Sequence, residues 1–173
     1  MVADLPNPVE HLPNSVKRTL QAFRDLGCTG DLVHTPRNVV SVAALIRQLD
    51  TDPTAIAHTQ LFEADGQPIL VIVSGTRAPD PTSLASVLGV GRINGVPDHV
   101  AARWTKQDPL AMAPVGHPQN LPAVIDLDLS RHAIVWVPAG HPDYLFTTSY
   151  AELLRITAGM AAEVVAYRAG QQP

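Results

Sequence analysis

Thr59-Gln60-Leu61-Phe62-Glu63-Ala64-Asp65-Gly66-Gln67-Pro68-Ile69-Leu70-Val71-Ile72-Val73 is the stretch that decides the fold class. Asp65-Gly66 favours a tight two-residue turn, and the runs on either side read as paired strands. The second run is almost wholly apolar, which suits a central strand covered on both faces. Toward the C-terminus, Ser74-Gly75-Thr76-Arg77 turns away. Asp80-Pro81 then starts a helix to about Leu88, and Gly89 ends it. Gly91 to Asn94 is a brief strand candidate, and Pro97 to about Trp104 reads as a helix. Gly89-x-Gly91 is no dinucleotide fingerprint, because no third glycine follows in a strand-to-helix turn.

Toward the N-terminus, Asp52-Pro53 opens a helical turn through Ile56. A helix precedes it from about Ser41 to Leu49, with Val42, Leu45, Ile46 and Leu49 inward. Thr35-Pro36 breaks a short strand over Asp31 to His34. The first helix runs from about Val16 to Leu26, capped by Asn14 or Ser15 and ended by Gly27. Beyond the middle of the chain, Leu121 to Asp126, Ala133 to Pro138 and Tyr144 to Thr148 read as strands. Ser149 caps a last helix from Tyr150 to about Thr157, and Ala161 to Tyr167 is a short strand or helix. Strands and helices interleave irregularly, so the expectation is one mixed α/β domain over residues 14–168. A lead-in (1–13) and a short tail (169–173) flank it.

The 173 residues and 46% hydrophobic content fit a single soluble domain with a real core. A net charge of −4 excludes a global basic field, so a nucleic acid must be met by a local patch or gripped at one end. Arg77, Arg92, Arg103 and Lys106 are the candidates for such a patch, against a default of scattered surface charges. The single cysteine, Cys28, excludes an internal disulfide framework and suits a reducing cytoplasm. It reads as a small apolar residue rather than a nucleophile. No apolar stretch reaches the length of a membrane span, and the first residues lack a signal-peptide pattern.

Leu110 to Asp126, LAMAPVGHPQNLPAVID, joins a Pro- and Gly-broken loop to an apolar strand ending on a carboxylate. Small residues let a ligand approach the backbone, and prolines hold the loop still. A surface turn with no function is the competing interpretation.

The order of the pieces AIAHTQLFEADGQPILVIVSG, SLASVLGV, APVGHPQNLPAVID, AIVWVPAGHPDYLF and TSYAELLRITAG resembles the YbaK family. That family includes the editing domain inserted in bacterial prolyl-tRNA synthetases and its free-standing relatives. The resemblance covers roughly residues 15–165. It implies a mixed, partly barrel-like central sheet surrounded by helices. It also implies hydrolysis of a wrong small amino acid, alanine- or cysteine-like, from the 3′ end of a tRNA, often tRNA-Pro. The implied partners are an aminoacyl-tRNA acceptor end and an aminoacyl-tRNA synthetase. No cofactor is expected, and a three-histidine zinc site is disfavoured because no His-x-x-x-His or cysteine pair supports it. In the family, the loop backbone holds the aminoacyl group. Here Ala111-Met112-Ala113-Pro114 stands for the family's Gly-x-x-Pro, with Ala111 in place of its first glycine. Gly116 and Gly140 match later family glycines. If position 111 needs a positive φ, alanine there costs about 1 kcal/mol or more. His58 stands where the family usually has a lysine that faces the pocket. An ammonium is a permanent phosphate contact, whereas an imidazole is mostly neutral at pH 7.

An aminoacyl ester is already activated, so a deacylase has only to place a water, stabilise an oxyanion and recognise the amino acid. The terminal ribose 2′-hydroxyl can help move the proton, so no triad is required; the chain carries no Gly-x-Ser-x-Gly elbow. The catalytic candidates are His58, Ala113, Pro114 and Gly116, with N–H groups of residues 113–117 as oxyanion donors. Ala111, Met112, His117, Gly140, His141, Tyr144 and Thr147 are the substrate-binding candidates. By the family fold, His58, His117 and His141 border one cleft; surface or capping roles are the alternative. Asp126 reads either as a partner for a loop N–H or histidine, or as a structural anchor. Trp104 and Trp136 read as core rather than as stacking platforms.

Overall fold

The computed structural model describes residues 11–35, 42–75 and 77–165. The N-terminal lead-in before residue 11, Pro36 to Ser41, Thr76 and the tail after residue 165 lie outside the described residues.

The hairpin forms as its sequence dictates. Strand β2 (Ala57–Ala64) pairs antiparallel with β3 (Gln67–Ser74), with Leu61 opposite Leu70. Asp65 (φ 47°) and Gly66 (φ 83°) both take positive φ, the twist that suits a two-residue hairpin. The Asp65 carboxylate also accepts the Gly91 and Arg92 N–H groups, which brings β4 (Ile93–Gly95) against β2. β3 is central, as its apolar run requires: β2 lies on one side and β5 (Ala123–Asp126), parallel to it, on the other. β8 (Met160–Ala162) pairs parallel with β5 and completes a five-stranded mixed sheet.

The second sheet has three strands, with β7 (Tyr144–Thr148) between β1 (Leu32–His34) and β6 (Val135–Pro138). A parallel bridge between Ile56 and Trp136 links the two sheets. The expected mixed α/β domain is present; its curved sheet takes the form of two linked sheets and does not close into a barrel among the described residues.

Among the described residues five α-helices flank the sheets. α1 (Asn14–Asp25) buries Val16, Thr19, Leu20 and Phe23. Its cap is Pro13, with no side-chain cap hydrogen bond, in place of the expected Asn14 or Ser15. α2 (Val42–Leu49) and α3 (Pro81–Leu88) follow the expected bounds closely. Asp80 caps α3 by accepting the Ser83 N–H at 2.8 Å, and Gly89 ends it at φ 64°. α4 (Asp98–Thr105) ends on Lys106, held at φ 56°. α5 (Tyr150–Thr157) is capped by Ser149 as its sequence predicts.

β5 starts two residues later than expected: Pro122 has no N–H to give a ladder, although its carbonyl still accepts from Leu70. Leu127–Arg131 forms an unforeseen 3-10 turn, capped by the Asp126 carboxylate. Trp104 is 40% exposed, contrary to a core role, because its side of α4 faces solvent. Trp136 is half-buried and donates its indole N–H to Thr51. Cys28 is half-buried against the main core cluster, and burial followed by the Glu152 charge raises its thiol pKa.

Position 106 gives a direct stability test. A lysine in left-handed conformation at a helix C-cap is strained where glycine is not. Lys106→Gly is expected to stabilise the fold by roughly 1 kcal/mol, a rise in melting temperature of about 2–4 °C. An unchanged or lower midpoint in thermal denaturation would show that the lysine stem makes up for its backbone.

Candidate active site

The loop from Gln107 to Gly116 is held from inside. Gln107 is 4% exposed, and its carboxamide joins three segments. Oε1 accepts the Ala113 N–H at 2.7 Å, while Nε2 donates to Val115 O at 3.2 Å and to Thr19 Oγ1 of α1 at 3.1 Å. Ala111 O accepts the Gly140 N–H at 2.9 Å, which ties the loop to the turn after β6. Gly116 (φ 86°) and Gly140 (φ 89°) both close on Thr19. A Cβ on Gly116 would lie 2.8 Å from the Thr19 Cα, and one on Gly140 would lie 3.0 Å from its hydroxyl. Both glycines are therefore needed for close approach of backbone to helix.

Ala111 is not among the residues with positive φ, so its Cβ brings no left-handed strain. The Ala113 N–H, expected as an oxyanion donor, is already held by Gln107. Ala111, Met112, Ala113, Pro114 and Val115 are all buried, which excludes the surface-turn interpretation.

The loop packs on one face of the large sheet. Met112 clusters with Leu61 and Leu70, and Val115 with Ala57, Ile72 and Ile125. Side chains alternate along a strand, so Thr59 shares the face of Ala57 and Leu61, beneath the loop. Its hydroxyl is buried and has no hydrogen-bond partner. An unsatisfied hydroxyl under a small-residue loop is where a ligand polar group can be received.

His58 takes the other face, that of its cross-strand partner Val73. Its Nδ1 lies 2.6 Å from Gly75 O. A carbonyl can only accept, so Nδ1 carries the proton and Nε2 is left as an acceptor. Burial lowers the His58 pKa, against the Gly75 carbonyl and the Asp126 charge, which raise it. The position therefore holds a neutral ring at pH 7.

Asp126 ends β5 nearby, 2% exposed. Its carboxylate accepts the Ser74 N–H and the Asp128 N–H, each at 3.2 Å, and pairs with Arg77 at 3.2 Å. Arg77 also pairs closely with Asp128, so it is drawn inward rather than forming part of an open basic patch. Burial raises the Asp126 pKa despite these partners. The buried Tyr150 hydroxyl has no partner, and its pKa is raised by burial and by the Asp126 charge. Asp126 was legible as a strand-end anchor and Arg77 only as a candidate for a basic patch, whereas it pairs with Asp126 and Asp128; Thr59, Gln107 and Tyr150 were not singled out, since each looks ordinary along the chain.

The three histidines do not share one described cavity. His117 lines a cleft of about 290 Å³ with Pro114, Val115 and Gly116 of the loop and with Ile156, Thr157 and Ala158 at the C-terminal end of α5. Neither His58 nor His141 lines it. Both His117 ring nitrogens are buried without an aligned hydrogen-bond partner. Burial pushes its pKa down to about 4, with the Thr105 and Ala113 backbone opposing the shift. His141 Nδ1 accepts the Asp143 N–H, and its ring meets Tyr144 edge-on. Tyr144 lines a separate cavity of about 560 Å³ with Leu20, Cys28 and Phe146. The Thr147 hydroxyl accepts the Asp31 N–H and so holds the chain entering β1. Among the described residues, no His, Cys, Asp and Glu side chains gather as a metal ligand set.

These depressed histidines set a pH dependence of stability. His117 binds a proton more readily unfolded (near 6.5) than folded (about 4), so the unfolded state gains protons across that interval. Stability is expected to fall as pH drops from about 6.5 to 4, with His58 adding in the same direction. Asp126, whose pKa burial raises, opposes this from the ordinary carboxylate range upward. Urea midpoints across this range check it: His117→Gln should lose less stability on acidification than the wild type, and equal slopes would overturn the assignment.

The fold is shared with solved structures. One, described as a candidate trans-editing enzyme for prolyl tRNA synthetase, superposes with a TM-score of 0.83 at 24% identity, over 90% of this chain and 99% of that one. Another, a scaffold protein used for epitope backbone grafting, gives 0.82 at 24% identity over 90% and 100%. In sequence, the proline–tRNA ligase of Levilactobacillus brevis is 29% identical over 94 residues, 54% of this chain and 16% of that ligase. The matched part thus spans about a sixth of that relative's length. The mixed sheet with its flanking helices is the fold these solved structures share. Residues 36–156 match the aminoacyl-tRNA editing domain, and the chain belongs to that family.

Proposed function

We propose that this protein is an aminoacyl-tRNA deacylase, acting in trans on the ester of a mischarged small amino acid, alanine- or cysteine-like, on tRNA such as tRNA-Pro. The observation that carries the proposal is the Gln107-fixed loop lying over the unpartnered Thr59 hydroxyl. The loop's small residues admit a backbone-close aminoacyl group, and the Thr59 hydroxyl offers it a hydrogen bond. The substrate's own 2′-hydroxyl serves the proton transfer. His117, neutral at pH 7, follows the loop and lines a cleft with Pro114 and Gly116, where it can accept a hydrogen bond from the attacking water. The acceptor end of a charged tRNA is the partner, a synthetase is the source of the error, and the cytoplasm is the place.

The test is release of amino acid from alanyl-, cysteinyl-, seryl- and prolyl-tRNA by the purified protein. At least one should turn over above the buffer rate, and Thr59→Val should slow it about 10-fold or more by removing one hydrogen bond at the reacting group. The rate should show no protonation step of His117 near pH 6.5, because burial holds its pKa down to about 4. No turnover on any of the four would sink the proposal.

A second reading, a module that binds acceptor ends without hydrolysis, is favoured by two observations. The Ala113 N–H is occupied, and a neutral ring replaces the family's ammonium. His58→Lys combined with Ala111→Gly discriminates: activity created from nothing would make the natural protein the binding module.

A further inference from the structure

A groove of about 810 Å³ runs from the β2–β3 turn past the end of α4 to residues 118–122. Arg103, Trp104 and Lys106 form one wall. All three are exposed, and Trp104 presents 40% of its surface. Among the described residues no acidic side chain lines the groove, in a chain whose net charge is −4. Two cations beside an open indole, with no carboxylate facing them, complement a chain of phosphates with free bases.

The groove continues into the site. Gln119, Asn120 and Leu121 line both this groove and the cleft that holds Pro114, Gly116 and His117. A strand lying in the groove would therefore deliver its end to the loop.

The geometry points to this groove as the seat of unpaired nucleotides at an RNA 3′ end, with a base stacked on Trp104 and phosphates held by Arg103 and Lys106. The inference rests on the deacylase reading for the identity of the RNA, but not for its test. Amide side chains at Gln119 and Asn120 can bond base edges or ribose hydroxyls as the strand passes. An apolar or basic partner would leave both cations without a counter-charge, and an acidic partner without stacking groups would leave the indole face unused.

The test uses uncharged, fluorescently labelled RNA: a short stem with four unpaired 3′ nucleotides, and the same stem blunt-ended. The overhang RNA is expected to bind, to quench tryptophan emission, and to bind more tightly than the blunt stem. Trp104→Ala should weaken overhang binding about tenfold or more, while Trp104→Phe retains most of it. Arg103→Gln with Lys106→Gly should lower the slope of log affinity against log salt by about 1.4, for two phosphate contacts on a single strand. Wild-type affinity and salt slope in these variants would overturn the inference, as would equal binding of the blunt stem or no binding of the overhang at low salt. Deacylation of charged tRNA is measured separately. Turnover insensitive to the groove variants leaves the enzyme and removes the groove; Trp104-dependent binding without turnover does the reverse.

Discussion

Gln107→Leu is expected to be among the most damaging single changes in this chain. Leucine matches the volume but removes the carboxamide that receives the Ala113 N–H and reaches Val115 O and Thr19 Oγ1. The Ala113 N–H and Val115 carbonyl are then left in a closed interior. Each buried group so orphaned costs about 1–3 kcal/mol, giving a loss of about 3 kcal/mol or more. For a chain of this size that lowers the melting temperature by about 6–12 °C. The same change frees the loop proposed to hold the aminoacyl group, so deacylation should fall further than the folded fraction does. Gln107→Glu separates geometry from hydrogen bonding. It keeps an acceptor for Ala113 but at neutral pH faces the Val115 carbonyl with a buried charge. Relative to wild type at each pH, it should recover as acid restores a proton that can be donated. Thermal melts of both variants within 2 °C of wild type would show that the carboxamide is replaceable, where 2 °C is about 1 kcal/mol or less.

Gly116→Ala is expected to have a comparable effect for a different reason. Two penalties coincide: the left-handed backbone at φ 86°, and a methyl 2.8 Å from the Thr19 Cα. The backbone atom cannot rotate away as a side chain would. Strain of about 1 kcal/mol and overpacking of about 1–3 kcal/mol add to roughly 3 kcal/mol. Gly140→Ala meets the Thr19 hydroxyl at 3.0 Å, the Gln107 amide carbon at 3.3 Å and the Ser15 carbonyl at 3.3 Å, and should be milder because two of these belong to side chains. Gly66→Ala, at φ 83° with nothing within 4 Å, isolates the backbone part. If Gly116→Ala costs no more than Gly66→Ala in chemical denaturation, the helix yields and the close approach carries no weight.

Much of the fold was legible because local signals agreed with tertiary context. Asp65-Gly66, Asp80-Pro81 and Ser149 each mark a terminus or turn that the structure keeps. The 3-10 turn after Asp126 was hidden because its only mark is a carboxylate two residues before an N–H. The loop was legible as a place but not as a mechanism. Pro114, Gly116 and Gly140 announce themselves by residue type, whereas Gln107 and Thr59 owe their importance to what lies across the fold from them. His58 illustrates the converse. Its position in the sequence pattern suggests the pocket, yet its register with Val73 sets it on the far face of the sheet from the loop. Period-two alternation makes neighbours such as His58 and Thr59 face opposite ways, and only the pairing of β2 tells which of them meets the loop.

The shared carboxamide has a consequence for motion. One side chain fastens α1, both limbs of the loop and, through Ala111, the turn at Gly140. Pulling any one of these away breaks bonds to the others, so they open as a unit rather than singly. In hydrogen–deuterium exchange the Ala113 and Gly140 amides should therefore exchange at a common rate with the inner face of α1. A ligand that seats under the loop would slow all three together, and the helix would report its occupancy.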